Sequence, residues 1–191
     1  MSDIVQHQSA TNEHPTRLDI VERARALLGG FDLDPASTPA FNERVRAGRI
    51  FTVADDGLEQ PWGGRVFINP PGGKLKLVGG RWVPVDKGPG KSSMQVWWDK
   101  LAREFSAGLV AEAFFVGFTL EILRTSQACA LPVQAFARCY PRERLAFAGD
   151  DPTHANVLVF VSRDVAAAAR MEAHFGTVGF CEAGATWRWR S

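Results

Sequence analysis

The stretch RVFINPP (residues 65–71) decides the fold class. Three apolar residues in a row, at 66–68, precede Asn69 and two prolines. An uninterrupted apolar run is typical of a strand that is buried on both faces of a parallel sheet. Proline lacks a backbone N–H and fixes φ, so Pro70 and Pro71 end the strand and hold the following chain extended. The stretch therefore predicts a buried strand whose carboxyl end presents Asn69.

Segments with other periodicities surround this strand. The chain pattern predicts helices at 16–28, 94–105, 120–128 and 164–174, and further strands at 31–36, 49–53, 108–118, 132–139, 144–149, 156–162 and 177–183. Thr16 is a plausible N-cap for the first helix. Because strands alternate with helices and then crowd together near the C-terminus, we predict an α/β fold. Its sheet is expected to be mostly parallel, with an antiparallel C-terminal edge or hairpin.

The composition of the chain limits its class. A length of 191 residues and a net charge of +1 are ordinary for one globular domain. We expect a disordered leader at 1–14, a single domain at 15–185 and a short tail at 186–191. No stretch approaches the roughly 20 apolar residues that cross a bilayer. The three cysteines are odd in number and lack a CxxC spacing, which favours reduced thiols in the cytoplasm and disfavours a zinc site.

Positive charge is concentrated in one segment. Residues 74–91 contain five cationic side chains and a single acidic one, Asp86; the five are Lys74, Lys76, Arg81, Lys87 and Lys91. The apolar stretches LKLV and RWVPV flank Gly79-Gly80, which predicts a hairpin within an insertion at 73–91 that projects from the domain. Such a segment is either a solvated loop or a surface that contacts phosphates.

Polar residues follow three of the predicted strands. These strand ends are DPAS (34–37), DDGL (55–58) and NPP (69–71). Ligands of open parallel sheets bind beyond the carboxyl ends of the strands. The three strand ends are therefore expected to line a single cleft.

The NPP segment is suited to hold a primary aromatic amine. The Asn69 side-chain oxygen and the Pro70 carbonyl can point the same way and accept both N–H groups of such an amine. Two acceptors favour a more tetrahedral nitrogen, whose lone pair is then available to attack an electrophile. The alternative is structural, because Asn-Pro after a strand is also an ordinary turn opener.

The ordered set of FDLDPAST (31–38), DDGLEQPW (55–62) and RVFINPP (65–71) resembles the phage-type DNA N6-adenine methyltransferases, the phage Dam family. The resemblance covers roughly residues 15–160. It implies a Rossmann-like fold that uses S-adenosylmethionine to methylate the exocyclic amine of adenine in DNA, without a metal. It also implies action in the cytoplasm, that of a bacterial host if a phage encodes the chain.

The resemblance implies roles for individual residues. Asp34, Pro35 and Ala36 would line the cofactor site, with Ser37 and Asn42 close by and with Asp56 and Leu58 near the cofactor's adenine. Asn69, Pro70 and Pro71 would grip the target amine. Gly72 and the insertion residues Lys74, Lys76, Arg81, Trp82, Lys87 and Lys91 would contact the nucleic acid.

Two positions depart from the family pattern. Gly72 stands where these enzymes usually have an aromatic ring that stacks on the target base, and DPAST lacks the usual glycine pair. Rings that could replace the missing one are those of Trp82, Trp97, Trp98 and Phe118. Alternative readings are the same reaction on RNA adenine, cytosine N4 or protein glutamine, and an inactive module that binds DNA or cofactor. The oligomeric state is not indicated.

Overall fold

The fold is seen in a computed structural model, which describes residues 16–145 and 154–185. The helices in these ranges are α1 (Leu18–Leu28), α2 (Pro39–Val45), α3 (Ser93–Ser106), α4 (Glu121–Thr125) and α5 (Ala167–Phe175). The strands are β1 (Leu33–Asp34), β2 (Arg49–Ile50), β3 (Gly64–Ile68), β4 (Lys74–Val78), β5 (Arg81–Val85), β6 (Lys91–Ser92), β7 (Val110–Gly117), β8 (Ala137–Pro141), β9 (Val157–Val161) and β10 (Gly179–Glu182).

Seven of these strands form one central sheet in the order β10-β8-β9-β7-β3-β1-β2. The β2, β1, β3 and β7 strands are mutually parallel. The β9 strand pairs antiparallel with both β7 and β8, and β10 pairs antiparallel with β8. Within the described ranges only β9 and β10 therefore run against the others. The predicted α/β class, with a mostly parallel sheet and antiparallel C-terminal strands, is confirmed.

Both faces of the sheet are covered by helices. In β3, Phe67 packs with α1, α2 and α5, whereas Val66 and Ile68 pack with α3 on the opposite face. The β7 strand alternates in the same way, because successive side chains of a strand point to opposite faces. Phe114 lies on the α1 side and Phe115 on the α3 side. This double burial explains the uninterrupted apolar runs of both strands.

The path of the chain creates a crevice between β1 and β3. After β1 the chain continues through α2 to β2, on one side of β1, whereas β3 lies on its other side. The α2 helix packs on one face of the sheet, and α3, which follows β3, packs on the other. Strand order thus reverses at β1 and β3. Such a switch point is where open α/β sheets bind ligands.

A second, three-stranded sheet stands apart from the central one, with the order β5-β4-β6. The β4 and β5 strands form an antiparallel hairpin in register from Lys74 opposite Val85 to Val78 opposite Arg81. Leu75 is buried and anchors this sheet on the core that contains α3. The insertion that the sequence places at 73–91 is thus an ordered hairpin with a third strand.

Several local predictions need correction. The α2 helix was missed, although Thr38 and Pro39 are a usual N-cap and first-turn pair. The predicted cap of α1 is wrong, because Arg17 takes the N-cap position and its side chain makes no capping hydrogen bond. Residues 120–128 form only the short α4 and a 3₁₀ turn. The leader, the tail and most of the strand predicted at 144–149 lie outside the described residues.

None of the helices in residues 16–145 and 154–185 is both long and apolar enough to cross a membrane.

Candidate functional site

A cleft opens at the switch point of the sheet. Its strand-side lining comprises Asp34 at the end of β1, Ala36 just beyond it, Phe67 in β3 and Asn69 one residue past β3. The β1 and β3 strands pair in parallel through Leu33 and Val66. Their carboxyl ends therefore meet at one edge, as the sequence predicted for the DPAS and NPP segments. The structure brings an acidic strand end and the amide of Asn69 into one depression.

The carboxyl group of Asp34 is almost completely buried in this cleft. Only 3% of the residue is exposed. Burial raises the pKa of Asp34 to about 7, against the opposing hydrogen bonds from the Ala36 amide and the Ser37 side chain. The Ala36 N–H lies 3.2 Å from Asp34 Oδ1. The carboxyl group therefore titrates near neutral pH, so a cation placed beside it would favour its ionised form.

The opposite wall of the cleft comes from α2. Phe41, Arg44 and Val45 line it. The helix begins at Thr38, whose hydroxyl accepts a hydrogen bond of 3.2 Å from the Phe41 N–H. Arg44 is exposed and places a positive charge at this wall. None of these three lining residues was predicted.

Thr16 completes the cleft from the segment that precedes α1. The residue is 5% exposed, and it lines the depression together with Asp34 and Asn69. Its Oγ1 is buried and has no hydrogen-bond partner among the residues that the structure describes. Buried hydroxyls are normally hydrogen-bonded. An unpartnered one in a cleft points to a ligand that supplies the missing contact.

The DDGL loop packs directly against the end of β1. A Cβ on Gly57 would lie 2.0 Å from the Pro35 carbonyl oxygen, so only glycine fits there without a shift. The Trp62 indole N–H donates to the Gly57 carbonyl over 2.7 Å, and the Trp62 ring stacks on Trp97 at 5.6 Å between centroids. Asp56 has a positive φ of 54°, a conformation that is uncommon for residues other than glycine. The glycine and the tryptophan of the DGL…W pattern therefore hold this loop against the end of β1.

Two further predicted cofactor residues have structural contacts. The Asn42 amide oxygen accepts from the Ala47 N–H over 2.8 Å, and its amide nitrogen donates to the Ala47 carbonyl over 3.2 Å. These bonds close the turn after α2. Leu58 packs, partly buried, on the core beneath the loop. The cofactor roles of both residues remain predictions.

The segment that follows Asn69 leads into the hairpin. Pro70 is buried, Pro71 and Gly72 are half-buried, and the Gly73 carbonyl accepts a bond of 3.0 Å from the Ser93 N–H at the start of α3. This contact fixes the base of the insertion next to the NPP segment. The prolines and Gly72 are therefore held between Asn69, which lines the cleft, and the base of the hairpin.

The hairpin is joined to the DDGL loop by an ion pair. Arg81 Nη2 lies 3.0 Å from Asp56 Oδ2. Lys74, Lys76, Lys87 and Lys91 are exposed. The structure thus brings one cation of the insertion to a predicted cofactor residue and leaves four lysines on the surface.

The four rings proposed to replace the missing aromatic differ in exposure. Trp97 and Trp98 are both buried, at 6% and 0% exposed, and Trp98 donates its indole N–H to the Leu131 carbonyl over 2.7 Å. Trp82 and Phe118 retain exposed surface and pack on the edge of the core. Phe118 directly follows β7, the strand beside β3. Of the four rings, only these last two are not buried.

The described residues contain no group of three or more His, Cys, Asp or Glu side chains that could hold a metal ion.

No protein-family model matches this chain, and no curated protein matches it. Among solved structures, it is similar to a candidate class I S-adenosylmethionine-dependent methyltransferase from Listeria monocytogenes, with a TM-score of 0.46 and 11% sequence identity. The similarity covers 84% of this chain and 64% of that protein, so this chain spans less than two thirds of that protein's length. At this level the comparison identifies neither a family nor a substrate.

Proposed function

We propose that this protein is an S-adenosylmethionine-dependent methyltransferase that methylates the N6 amine of adenine in DNA. The observation that carries the proposal is the meeting of the Asp34 strand end and Asn69, the first residue of the NPP segment, in one cleft at the switch point of the sheet. A cofactor site and an amine grip at one sheet edge are what direct methyl transfer between two bound molecules requires.

The residues of the cleft fit the proposed cofactor. S-adenosylmethionine has hydroxyl groups, an amino-acid portion and a positively charged sulfonium. Thr16 offers a buried oxygen without a partner among the described residues, and Asp34 offers a carboxyl group that is poised to ionise beside a cation. Arg44 offers a cation that would pair with a carboxylate. Pro35 and Ala36 would contact the ligand at the β1 strand end.

Other parts of the cofactor would reach the DDGL loop. Asp56 has a positive φ of 54° and a side chain that is 23% exposed. Residues held in sparsely populated backbone conformations cluster at ligand sites. We assign Asp56 and Leu58 to the adenine end of the cofactor, with Gly57 and Trp62 holding the loop in position.

The chemistry falls to Asn69 and Pro70. When bound, S-adenosylmethionine supplies an electrophilic methyl group on sulfur. The Asn69 amide oxygen and the Pro70 carbonyl accept the two N–H groups of the adenine amine, which localises the nitrogen lone pair. The activated nitrogen would accept that methyl group, the electron pair of the carbon–sulfur bond would stay on sulfur, and the amine would lose one proton to solvent. Pro70 and Pro71 keep the acceptors rigid, so little reorganisation is needed.

The hairpin supports a nucleic acid as the substrate. Four exposed lysines lie on an insertion that begins two residues after the NPP segment. Lysine contacts with phosphates position a nucleic acid without reading its sequence. A glutamine side chain on a protein acceptor would not require such a concentration of positive charge. A base held between Asn69 and a ring would meet Phe118 or Trp82, which take the place of the aromatic absent at Gly72.

A transfer assay with parallel substrates tests the proposal. The purified chain is incubated with S-adenosylmethionine labelled in its methyl group and with DNA, RNA or protein acceptors in separate reactions. The expected result is label in DNA, located on adenine. Label only in RNA or protein would show that the substrate is not DNA. Label on cytosine would show that the methylated base is not adenine. Binding of S-adenosylmethionine without methyl transfer to any acceptor would overturn the enzymatic assignment and would show that the protein is a binding module.

A further inference from the structure

Two cysteines face each other at one edge of the central sheet. Cys139 lies in β8 and Cys181 in β10, and the two are register partners in this antiparallel pair of strands. Within the described ranges β10 is the outermost strand on this side of the sheet and pairs with β8 alone. Both cysteines are free thiols. The edge of the sheet therefore carries a cross-strand pair of thiols.

The backbone hydrogen bonds show which kind of cross-strand pair this is. The Arg142 N–H donates to the Val178 carbonyl over 3.1 Å, so these two residues continue the register as a hydrogen-bonded pair. Hydrogen-bonded and non-hydrogen-bonded pairs alternate along an antiparallel ladder. Counting along the register makes Cys139 and Cys181 a non-hydrogen-bonded pair, whose Cα atoms lie about 4.5 Å apart. A disulfide needs Cα atoms roughly 4.4–6.8 Å apart, so the backbone already has a suitable spacing.

The two side chains also point to the same place. Cys139 Sγ lies 3.7 Å from the Phe175 carbonyl oxygen, and Cys181 Sγ lies 3.9 Å from the Met171 carbonyl oxygen. Met171 and Phe175 are four residues apart in α5, so they lie on one face of that helix. The two thiols are within hydrogen-bonding reach of each other. Both sulfur atoms therefore lie side by side between the sheet and α5.

The two thiols differ in their access to solvent. Cys139 is completely buried, whereas Cys181 is partly exposed. Burial raises the pKa of both thiols, and the Glu172 carboxylate adds to the rise. Because the thiolate is the form that attacks a disulfide, both cysteines exchange slowly at neutral pH. Of the two, Cys181 is the thiol that a reagent in solution reaches first.

We infer that Cys139 and Cys181 form a dithiol site that small disulfides, such as glutathione disulfide, oxidise to a cross-strand disulfide. The Cys181 thiolate attacks one sulfur of the small disulfide, forms a mixed disulfide and releases one small thiol. The Cys139 thiolate then attacks the Cys181 sulfur and releases the second small thiol. The protein loses two protons and two electrons, and the small disulfide gains them as it is reduced to two thiols. The reaction is reversed by an excess of small thiol.

The disulfide would fasten the outermost strand of the sheet. The β10 strand has only four residues, and its Phe180 is 69% exposed. An edge strand that comes away leaves unpaired backbone groups and apolar surface open to other chains. The crosslink holds β10 on β8 and keeps the core beneath α5 covered under oxidising conditions. Because β9 and β7 lie between β8 and the strands of the cleft, this role is separate from the proposed methyl transfer.

Equilibration with glutathione tests the site. The full chain is incubated in glutathione buffers that range from fully reduced to mostly oxidised, its remaining thiols are alkylated, and its mass and peptides are measured. In the oxidised buffers the free thiols should fall from three to one, with one pair of peptides linked through Cys139 and Cys181. Cys129→Ser is the matched control, since Cys129 packs on the core cluster of the opposite face of the sheet. This variant should form the same disulfide and keep no free thiol.

Two further measurements test the order of attack and the fastening of β10. Cys139→Ser should keep one glutathione on Cys181, because the second step is lost, whereas Cys181→Ser should leave the buried Cys139 unmodified. The urea midpoint of the oxidised wild type should lie above that of the reduced protein, since a crosslink constrains the unfolded chain. Three free thiols in the most oxidised buffer, a disulfide that includes Cys129, or one that joins two chains would overturn the inference. An unchanged urea midpoint after the disulfide has formed would show that the bond does not fasten β10.

Discussion

Replacing Gly57 with alanine perturbs the contact between the DDGL loop and the β1 strand end. The new methyl group would lie 2.0 Å from the Pro35 carbonyl oxygen and 3.1 Å from the Trp97 ring. Gly57 is not among the residues with positive φ, so its backbone conformation suits alanine. The substitution therefore tests the close approach alone. Either the loop or the strand end has to move.

The size of the effect follows from the cost of overpacking. Forcing an extra methyl group into a packed site costs about 1–3 kcal/mol. In the variant the loop is expected to move away from Pro35. If S-adenosylmethionine binds only with Asp56 and Leu58 in their present positions, binding has to return the loop against Pro35, and the overpacking energy is then subtracted from the binding free energy. At 1.4 kcal/mol per tenfold change, the Kd should rise roughly 5- to 150-fold. The free energy of unfolding should fall by no more than about 3 kcal/mol.

Isothermal titration calorimetry with S-adenosylmethionine measures the first quantity, and urea denaturation measures the second. Gly48→Ala is the matched control, since its nearest contact would be an ordinary 3.5 Å from the Asp32 carbonyl oxygen. The control should bind as the wild type does. A Gly57→Ala protein with wild-type affinity and stability would show that the loop does not pack on Pro35. A loss of stability with unchanged affinity would show that the loop does not contribute to the cofactor site.

Three further predictions address other parts of the account. Trp62→Phe removes the 2.7 Å bond to the Gly57 carbonyl and leaves a buried acceptor unpaired, so urea denaturation should show a loss of about 1–3 kcal/mol; wild-type stability would contradict the clamp. The pKa of Asp34 is about 7 in the folded protein, against an ordinary value of 3.8. Between pH 4 and 7 the folded protein therefore binds more protons than the unfolded chain. As pH rises through this range, Asp34 increasingly destabilises the fold. In urea denaturation across this range, the free energy of unfolding of Asp34→Asn should rise relative to that of the wild type by up to about 4 kcal/mol. A difference in unfolding free energy that does not change with pH would mean that the carboxyl group is not buried. Replacing Lys74 and Lys76 with alanine should reduce the slope of log Kd against log salt for duplex DNA by about 2, and an unchanged slope would remove both lysines from the phosphate contacts.

The fold class and the central strands of the sheet were accessible from the sequence, whereas the order of the strands was not predicted. Apolar runs such as those ending at Ile68 and Gly117 arise because both faces of the strand are buried, and this pattern survives without knowledge of the neighbours. The hairpin at Gly79-Gly80 was accessible for a local reason as well, since its turn residues require positive φ. Local sequence patterns were therefore enough to predict the NPP strand end and the hairpin.

The cleft itself was less accessible, because its walls depend on contacts between distant segments. Thr16 is a residue type that usually caps helices, and only the packing of α1 shows that it lines the same cleft as Asp34. Trp97 and Trp98 were both offered as replacement rings, but α3 is covered both by the sheet and by Trp62 and so buries both rings. Phe41 and Arg44 were missed with the α2 helix. The signal that could have found them is the Thr38-Pro39 helix start.

The central claim is that Asn69 holds an adenine amine of DNA for methylation. The most direct measurement uses DNA that lacks N6-methyladenine, S-adenosylmethionine with a deuterated methyl group, and mass spectrometry of the digested nucleosides. The wild-type chain should produce deuterated N6-methyladenine, and Asn69→Ala should produce roughly 100- to 1,000-fold less per unit time, the loss expected on removing one such stabilising contact. No deuterated N6-methyladenine from the wild-type chain, or an undiminished rate with Asn69→Ala, would contradict the account.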